Sequence, residues 1–409
     1  MMTYTYHLAR NRCFMAIVLM ALSAVASWAQ RISDVRVLPQ QDMSRWHVAG
    51  ANYSGITHLG ADRYAVVSDK ETMDGFYVFT IRLDSVTGKV MDVVAEPMMG
   101  IVADSARLST RDQEGIAYVA QRNSVFISGE GDQRIIEHSL DGHQTGCELA
   151  VPVQLGTDAI YPNYGFEALC FSPHDGLFWT MTELTLKADG RRSTYQKGRG
   201  AEACLLRLQA FGADLLPARQ YAYRTDGAAA TATTTATATT ASLRHSLGDQ
   251  ISENSTTTSA QPSPTTPKPS STTAKSYASG VVALTALSDG SLLVLEREFY
   301  VAPKYIGSWV RNKIYHVRLA DTPPVTFDKP LSELPDTAFV QKELVAEFKT
   351  SLNLTVRNLA NYEGMCLGPQ LTDGRQTLLL ISDSQANYGN NLYRMKDYIR
   401  VVTFRYSST

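Results

Sequence analysis

The chain has 409 residues, 44% of them hydrophobic, which is ample for a sizeable core in one large domain or two or three smaller ones. Its formal charge is −2 and it carries no basic stripe, which argues against nucleic acid as a partner.

Residues 1–29 read as a secretory signal. Arg10 and Arg12 supply the positive segment, Cys13 to Ala26 the apolar run, and Ser27-Trp28-Ala29 a small-x-small cleavage site before Gln30. The apolar run is short for a span of about 20 residues. A mature chain of residues 30–409, secreted or periplasmic, is therefore expected. Its formal charge moves to −4, because two arginines and no acids leave with the signal. Cys147, Cys170, Cys204 and Cys366 remain, none in the CxxC spacing of a zinc or redox site. An exported protein could pair them, although Cys170 and Cys366 read better as buried small hydrophobes.

The rest of the chain is strand-rich, and five segments share one plan. They are SGITHLGADRYAVVSD (54–69), EGIAYVAQRNSVFISGE (114–130), EALCFSPHDGLFWTMTE (167–183), GVVALTALSDGSLLVLE (280–296) and EGMCLGPQLTDGRQTLLLISD (363–383). Each opens on Glu, Gly or Ser with a small and apolar pair, turns in the middle and closes on an acid. Four turns contain an Asp beside a Gly or Ala, and the fifth is Arg122-Asn123-Ser124. Such residues suit the positive φ of tight hairpins. Opening and closing residues then face each other across an antiparallel pair.

Between the third and fourth repeats, residues 226–276 are dominated by Thr, Ala, Ser and Pro. Such a segment cannot bury enough apolar area to offset its ordering entropy, so it reads as a disordered insert in one folded domain. With the insert set aside, the repeats recur at roughly the 50–60 residues that a four-stranded propeller blade needs. The expected fold is an all-β, β-propeller-like domain of six blades, five visible as repeats; a β-sandwich is the alternative. Helical patterns such as 330–349 are short.

In a propeller the same end of each inner hairpin faces one mouth of the central channel. Asp69, Glu114, Glu130, Glu167, Glu183, Glu296, Glu363 and Asp383 would then converge. Two carboxylates about 4 Å apart repel by roughly 4 kcal/mol at an effective dielectric near 20, so protonation, a basic neighbour or a metal must offset them. Lys70 and Arg297 could be the basic neighbours. Ca²⁺ is the natural metal, because it accepts six to eight oxygens in loose geometry and His is not prominent in the repeats. Acids at strand ends also cap turns and bridge neighbouring blades, so the reading rests on their recurrence. No GxSxG, P-loop, GxGxxG or HExxH motif is present.

Asp112-Gln113-Glu114-Gly115-Ile116, Ser128-Gly129-Glu130, Gly165-Phe166-Glu167-Ala168-Leu169, Leu295-Glu296-Arg297-Glu298-Phe299 and Asn361-Tyr362-Glu363-Gly364-Met365 with Leu380-Ile381-Ser382-Asp383 together resemble the phytase-like domain family, described as having esterase-like activity. The resemblance covers roughly residues 45–405 outside the insert. It implies a propeller-like fold, export, and hydrolysis of phosphoesters or related esters with calcium as the assisting ion. The motif SDSQAN departs from the family in lacking a further Asp before Asn387, and the first repeat opens on Ser54-Gly55 where the others carry Glu.

The expected activity is hydrolysis of a phosphomonoester or phosphodiester by a monomeric, calcium-assisted enzyme on a small substrate. Glu114, Glu167, Glu296 and Glu363 are the expected metal ligands. Arg297 is expected to neutralise a substrate oxygen, and Glu130, Glu183 or Asp383 to activate water. The alternatives are a metal-dependent lactonase or carboxylesterase, and a non-catalytic binding or scaffold propeller at the cell envelope.

Overall fold

The computed structural model describes residues 31–69, 71, 73–102, 111–196, 200–227, 276–320, 322–390 and 393–406. The signal segment, Lys70 and nearly all of the Thr-rich insert lie outside these residues. Among the described residues no helix is long and apolar enough to cross a membrane.

Strands dominate, and each of the five repeats is an antiparallel hairpin. The pairs are Tyr53–Gly60 with Arg63–Ser68, Gln113–Val119 with Ser124–Gly129, Phe166–Ser172 with Leu177–Thr182, Ser276–Ala286 with Leu292–Val301, and Asn361–Gln370 with Gln376–Asp383. The turns close as their residues dictate: Ala61, Asn123, Gly176, Gly290 and Gly374 take positive φ of 49°, 49°, 71°, 82° and 83°. The side chains of Asp289 and Asp373 accept the amides of Ser291 and Arg375 two residues on, a local bond that fixes each turn.

Each hairpin forms the inner half of a four-stranded blade; Met99–Val102 adds a fifth strand to blade 1 and Gln41–Asp42 one to blade 5. Blades 1 to 4 add their two outer strands from the sequence that follows: Met73–Leu83 and Val90–Ala95, Ile135–Ser139 and Gln144–Glu148, Leu205–Phe211 and Pro217–Arg224, Ser308–Val317 and Lys342–Leu352. Blade 5 adds Tyr398–Tyr406 and then Ile32–Val37 from the other end of the chain. The five innermost strands neighbour one another in a closed cycle, so the sheets form a ring.

The fold is therefore an all-β propeller of five blades, which corrects the expected six. The residues left over by a count of repeats, Ile32–Val37, are not part of another blade. They complete blade 5 and fasten the two ends of the domain together. Residues 330–349 also hold no helix beyond the two short 3-10 turns Leu331–Glu333 and Asp336–Ala338, and Lys342–Leu352 is strand.

The core consists of five wedges, one between each pair of neighbouring blades. Val67 and Phe76 of blade 1 meet Ile116 and Ile127 of blade 2. Phe126 of blade 2 meets Phe178 of blade 3, with ring centroids 4.5 Å apart. Trp179 and Tyr223 meet Val294 and Tyr315, Leu293 and Phe348 meet Tyr362 and Val402, and Leu379 and Val401 meet Tyr64 and Phe79. Inner strands are thus covered on both faces, which explains unbroken apolar runs such as Ser124–Gly129, buried at every position. The outermost strand Gln144–Glu148 is mostly exposed and polar. Each large apolar side chain buried this way contributes about 1.5–3 kcal/mol, and no blade can gain it without a neighbour.

Candidate functional site

One irregularity recurs in all five inner hairpins and builds the site. The inner strand carries one extra residue relative to its partner, a β-bulge, at the mouth end of the ladder. The register steps from Tyr53↔Ser68 to Ile56↔Val66, from Gln113↔Gly129 to Ile116↔Ile127, and from Phe166↔Thr182 to Ala168↔Met181. Blades 4 and 5 repeat it, from Val281↔Glu296 to Ala283↔Leu295 and from Tyr362↔Ser382 to Gly364↔Ile381. A bulge re-aims the side chain it inserts. Here the inserted residues are Ser54, Glu114, Glu167, Val282 and Glu363, at equivalent positions around the axis.

The following residue is small because the inner strands crowd together. A Cβ on Gly55 would lie 2.3 Å from the Glu114 carbonyl oxygen, and one on Gly364 2.5 Å from that of Ser54. On the second strand, the residue that follows the ladder pair just before the bulge completes a second ring: Asp69, Glu130, Glu183, Arg297 and Asp383.

The two rings meet at one mouth of the channel and form two groups of close carboxylates. Asp69, Asp112 and Glu114 can each bring one oxygen within 4.8 Å of the others, and so can Glu130, Glu167 and Glu183. Ser54 donates a hydrogen bond to Glu114, and the Gly165 amide donates to Glu130 Oε1 at 2.9 Å. Arg297 donates through Nη2 to Glu183 and through Nη1 to Glu363 and, at 2.9 Å, to Asn361 Oδ1. The Asn361 amide donates to Glu363 at 2.7 Å. Glu167 is buried, yet its Oε2 accepts no hydrogen bond. A buried carboxylate oxygen without a donor is costly unless it is protonated or ligates a cation.

Electrostatics follow the crowding. Burial raises Glu114 well above its usual range, and Glu167, Glu130, Asp69 and Glu363 raise it further. Glu167 is raised by burial and then by Glu183, Glu363 and Glu130. Asp383 is raised chiefly by burial and Glu363, although the Gln385 amide donates to it at 2.5 Å. Burial lifts Glu363 to about 7, with Arg297 opposing the rise. One arginine therefore does not neutralise this mouth. In the absence of a cation, protons do much of that work.

Below the acids the channel is lined by Ile56, Ile116, Leu169, Leu284 and Met365, one from each blade. These residues also floor a cavity of about 250 Å³ at the opposite mouth. The acidic mouth is thus backed by an apolar layer, which sustains the burial that shifts its carboxyl groups.

Most of the expected site residues are brought together here: Glu114, Glu130, Glu167, Glu183, Glu363, Asp383 and Arg297. Glu296 is not. It accepts from Tyr223 Oη at 2.7 Å, from the Asp226 amide at 3.1 Å and from Lys342 Nζ at 2.5 Å, and none of these belongs to the mouth. Successive residues of a strand point to opposite faces, so a displacement of one position exchanges the two. In blade 4 it is Arg297, not Glu296, that occupies the position of the closing acids. We expect Glu296→Gln to cost about 1–3 kcal/mol through its charged hydrogen bonds and to leave cation-dependent stabilisation unchanged; melting curves with and without Ca²⁺ check both. Asp112 is the site residue that sequence patterning passed over. It lies just before its strand in a turn with φ 48°, and its carbonyl accepts the Glu130 amide at 2.8 Å.

Comparison with known proteins places this geometry in context. Residues 49–385 match the family model Phytase-like: Esterase-like activity of phytase. A search of curated proteins returns no match. Among solved structures, the endo-arabinase from Bacteroides thetaiotaomicron VPI-5482 is 10% identical over 90% of this chain and 97% of its own, with a TM-score of 0.39. The phage phi92 endosialidase is 9% identical over 93% of this chain and 53% of its own, with a TM-score of 0.34.

Proposed function

We propose that this chain, which belongs to the phytase-like family, is an exported hydrolase that cleaves phosphoesters at the acidic mouth of its propeller with the help of Ca²⁺. The observation that carries the reading is the bare Oε2 of Glu167 inside the Glu130, Glu167 and Glu183 group. These residues are all hard oxygen donors, the set that suits Ca²⁺ rather than zinc or copper. Glu130, Glu167 and Glu183 would hold one ion and Asp69, Asp112 and Glu114 a second. A bound divalent cation supplies Lewis-acid stabilisation of the phosphoryl oxygens.

The remaining steps fall to the chain's own groups. Glu363, raised to about 7, is poised to take a proton from the attacking water near neutral pH. Asp383, which burial and Glu363 raise above its usual range, is the group placed to give a proton to the leaving alkoxide. Water oxygen bonds to phosphorus, the ester P–O bond breaks, and the alcohol departs with the Asp383 proton. Arg297 holds Glu183 and Glu363 in place and is not available as a substrate clamp while it does so. The apolar layer beneath the acids keeps the reaction at this one mouth.

The test is hydrolysis by residues 30–409 of phytate, a nitrophenyl phosphate, a nitrophenyl phosphodiester and a carboxylic ester, each with Ca²⁺ and with chelator. Phosphate or nitrophenol release that requires Ca²⁺ is the expected result. Cleavage of the carboxylic ester alone, indifferent to chelator, would overturn both the substrate class and the metal.

A further inference from the structure

We propose that Arg297 is a resident substitute for a cation, built into the sector of the mouth that blade 4 leaves without acids, and that it limits the mouth to two divalent ions. This rests on the reading that the mouth holds cations. The five-fold equivalence of the hairpins makes the substitution visible. The bulge brings Ser54, Glu114, Glu167 and Glu363 from four blades and Val282 from blade 4. The second ring brings an acid from each of the same four blades and Arg297 from blade 4. Blade 4 thus contributes no carboxylate to the mouth and one positive charge.

The guanidinium does what a bridging ion does. Nη2 reaches Glu183 of blade 3, and Nη1 reaches Glu363 and Asn361 of blade 5, so it ties together the two blades on either side of its own. It is buried, with 5% of its side chain exposed. Among the described residues, the two carboxylate groups able to take an ion lie on blades 1–2 and blades 2–3, and neither includes Glu363 or Asp383. The second observation pointing to ions is the buried, undonated Oε2 of Glu167, a member of the blade 2–3 group. Glu183 belongs to that group and is also the partner of Arg297. The arginine therefore closes the ring electrically and fixes the orientation of one ligand. Planar, bidentate-capable and permanently charged, Arg suits the task better than Lys.

The consequence is a count. Removing the charge should open a third ion position between Glu183 and Glu363. Calorimetric titration of CaCl2 into the chelator-treated mature protein and into Arg297→Gln decides it. Two ions per wild-type chain and three per variant are expected, with the Ca²⁺-induced rise in Tm at least twice as large in the variant. Two ions in both would overturn the role of Arg297 and leave the cation reading standing. No ions in wild type but one in the variant would support Arg297 as a substitute and overturn the two-ion mouth. No ions in either would overturn both. If Arg297→Gln fails to fold even with Ca²⁺, Arg297→Met serves, since it removes the charge and keeps an unbranched stem: three ions support the proposal and two overturn it.

Discussion

Replacing Glu167 by glutamine should lower phosphoester hydrolysis about a hundredfold and, in chelator, raise the melting temperature. The two effects have one cause. Glu167 has a buried oxygen with no donor and is crowded by Glu183, Glu363 and Glu130. Ionised, such an arrangement is unfavourable for the protein alone, and it is relieved by a proton or by a cation among the oxygens. An amide has the shape of the protonated acid and none of the repulsion. Relief of this kind is typically worth about 0.5–2 kcal/mol, or a few degrees in Tm for a domain of this size. The same change weakens the Glu130, Glu167 and Glu183 group as a cation holder. Loss of about 3 kcal/mol of transition-state stabilisation corresponds to roughly a hundredfold in rate. Steady-state rates and melting curves on one preparation test the pair. A variant less active and less stable in chelator would make Glu167 an ordinary structural residue.

The second large effect is a dependence of cation stabilisation on pH. The folded-state pKa values of Glu114, Glu167, Glu363 and Asp383 all lie above those of free side chains. Stability from such groups is fully present below the unfolded pKa and is lost as pH rises through the folded one. For Glu363 that window runs from 4.5 to about 7, which corresponds to about 3 kcal/mol. A bound cation reverses the loss by stabilising the ionised forms. The Tm gained on adding Ca²⁺ should therefore be small near pH 5 and largest near pH 8. Asp74, Glu137 and Asp226 are shifted the other way, each to about 2, so their contribution is lost only at acid pH and does not confuse the window. At a hundredfold excess over its dissociation constant, one ion stabilises by about 2.7 kcal/mol. A gain in Tm that is flat or falling from pH 5 to 8 would contradict the assignment.

The hairpins are legible in the sequence because their physics is local. A strand covered on both faces needs an unbroken apolar run, and a tight turn needs Gly, Asn or Asp at one position; both signals stand in all five repeats. The paired acids at the ends of the hairpins of blades 2, 3 and 5, and the closing Asp69 of blade 1, are legible for the same reason, since antiparallel pairing brings those ends together. Three features depend on long-range geometry and are not. Ile32–Val37 pairs with Tyr398–Tyr406 across the length of the chain, so the five visible repeats already account for every blade and the sixth expected beyond them is not there. In blade 4, Leu295-Glu296-Arg297 offers two charged residues in succession, and only the ladder register decides that Arg297 faces the channel. Asp112 sits before its strand, where no alternation assigns it a face.

The central claim is that the acids of the mouth hold divalent cations, and the most direct measurement is an anomalous-difference map of crystals of the mature protein soaked in Mn²⁺. The account predicts one peak among the carboxylate oxygens of Glu130, Glu167 and Glu183 and another among those of Asp69, Asp112 and Glu114. A map with no peak at either group, from crystals that accept Mn²⁺ elsewhere on the surface, would contradict it.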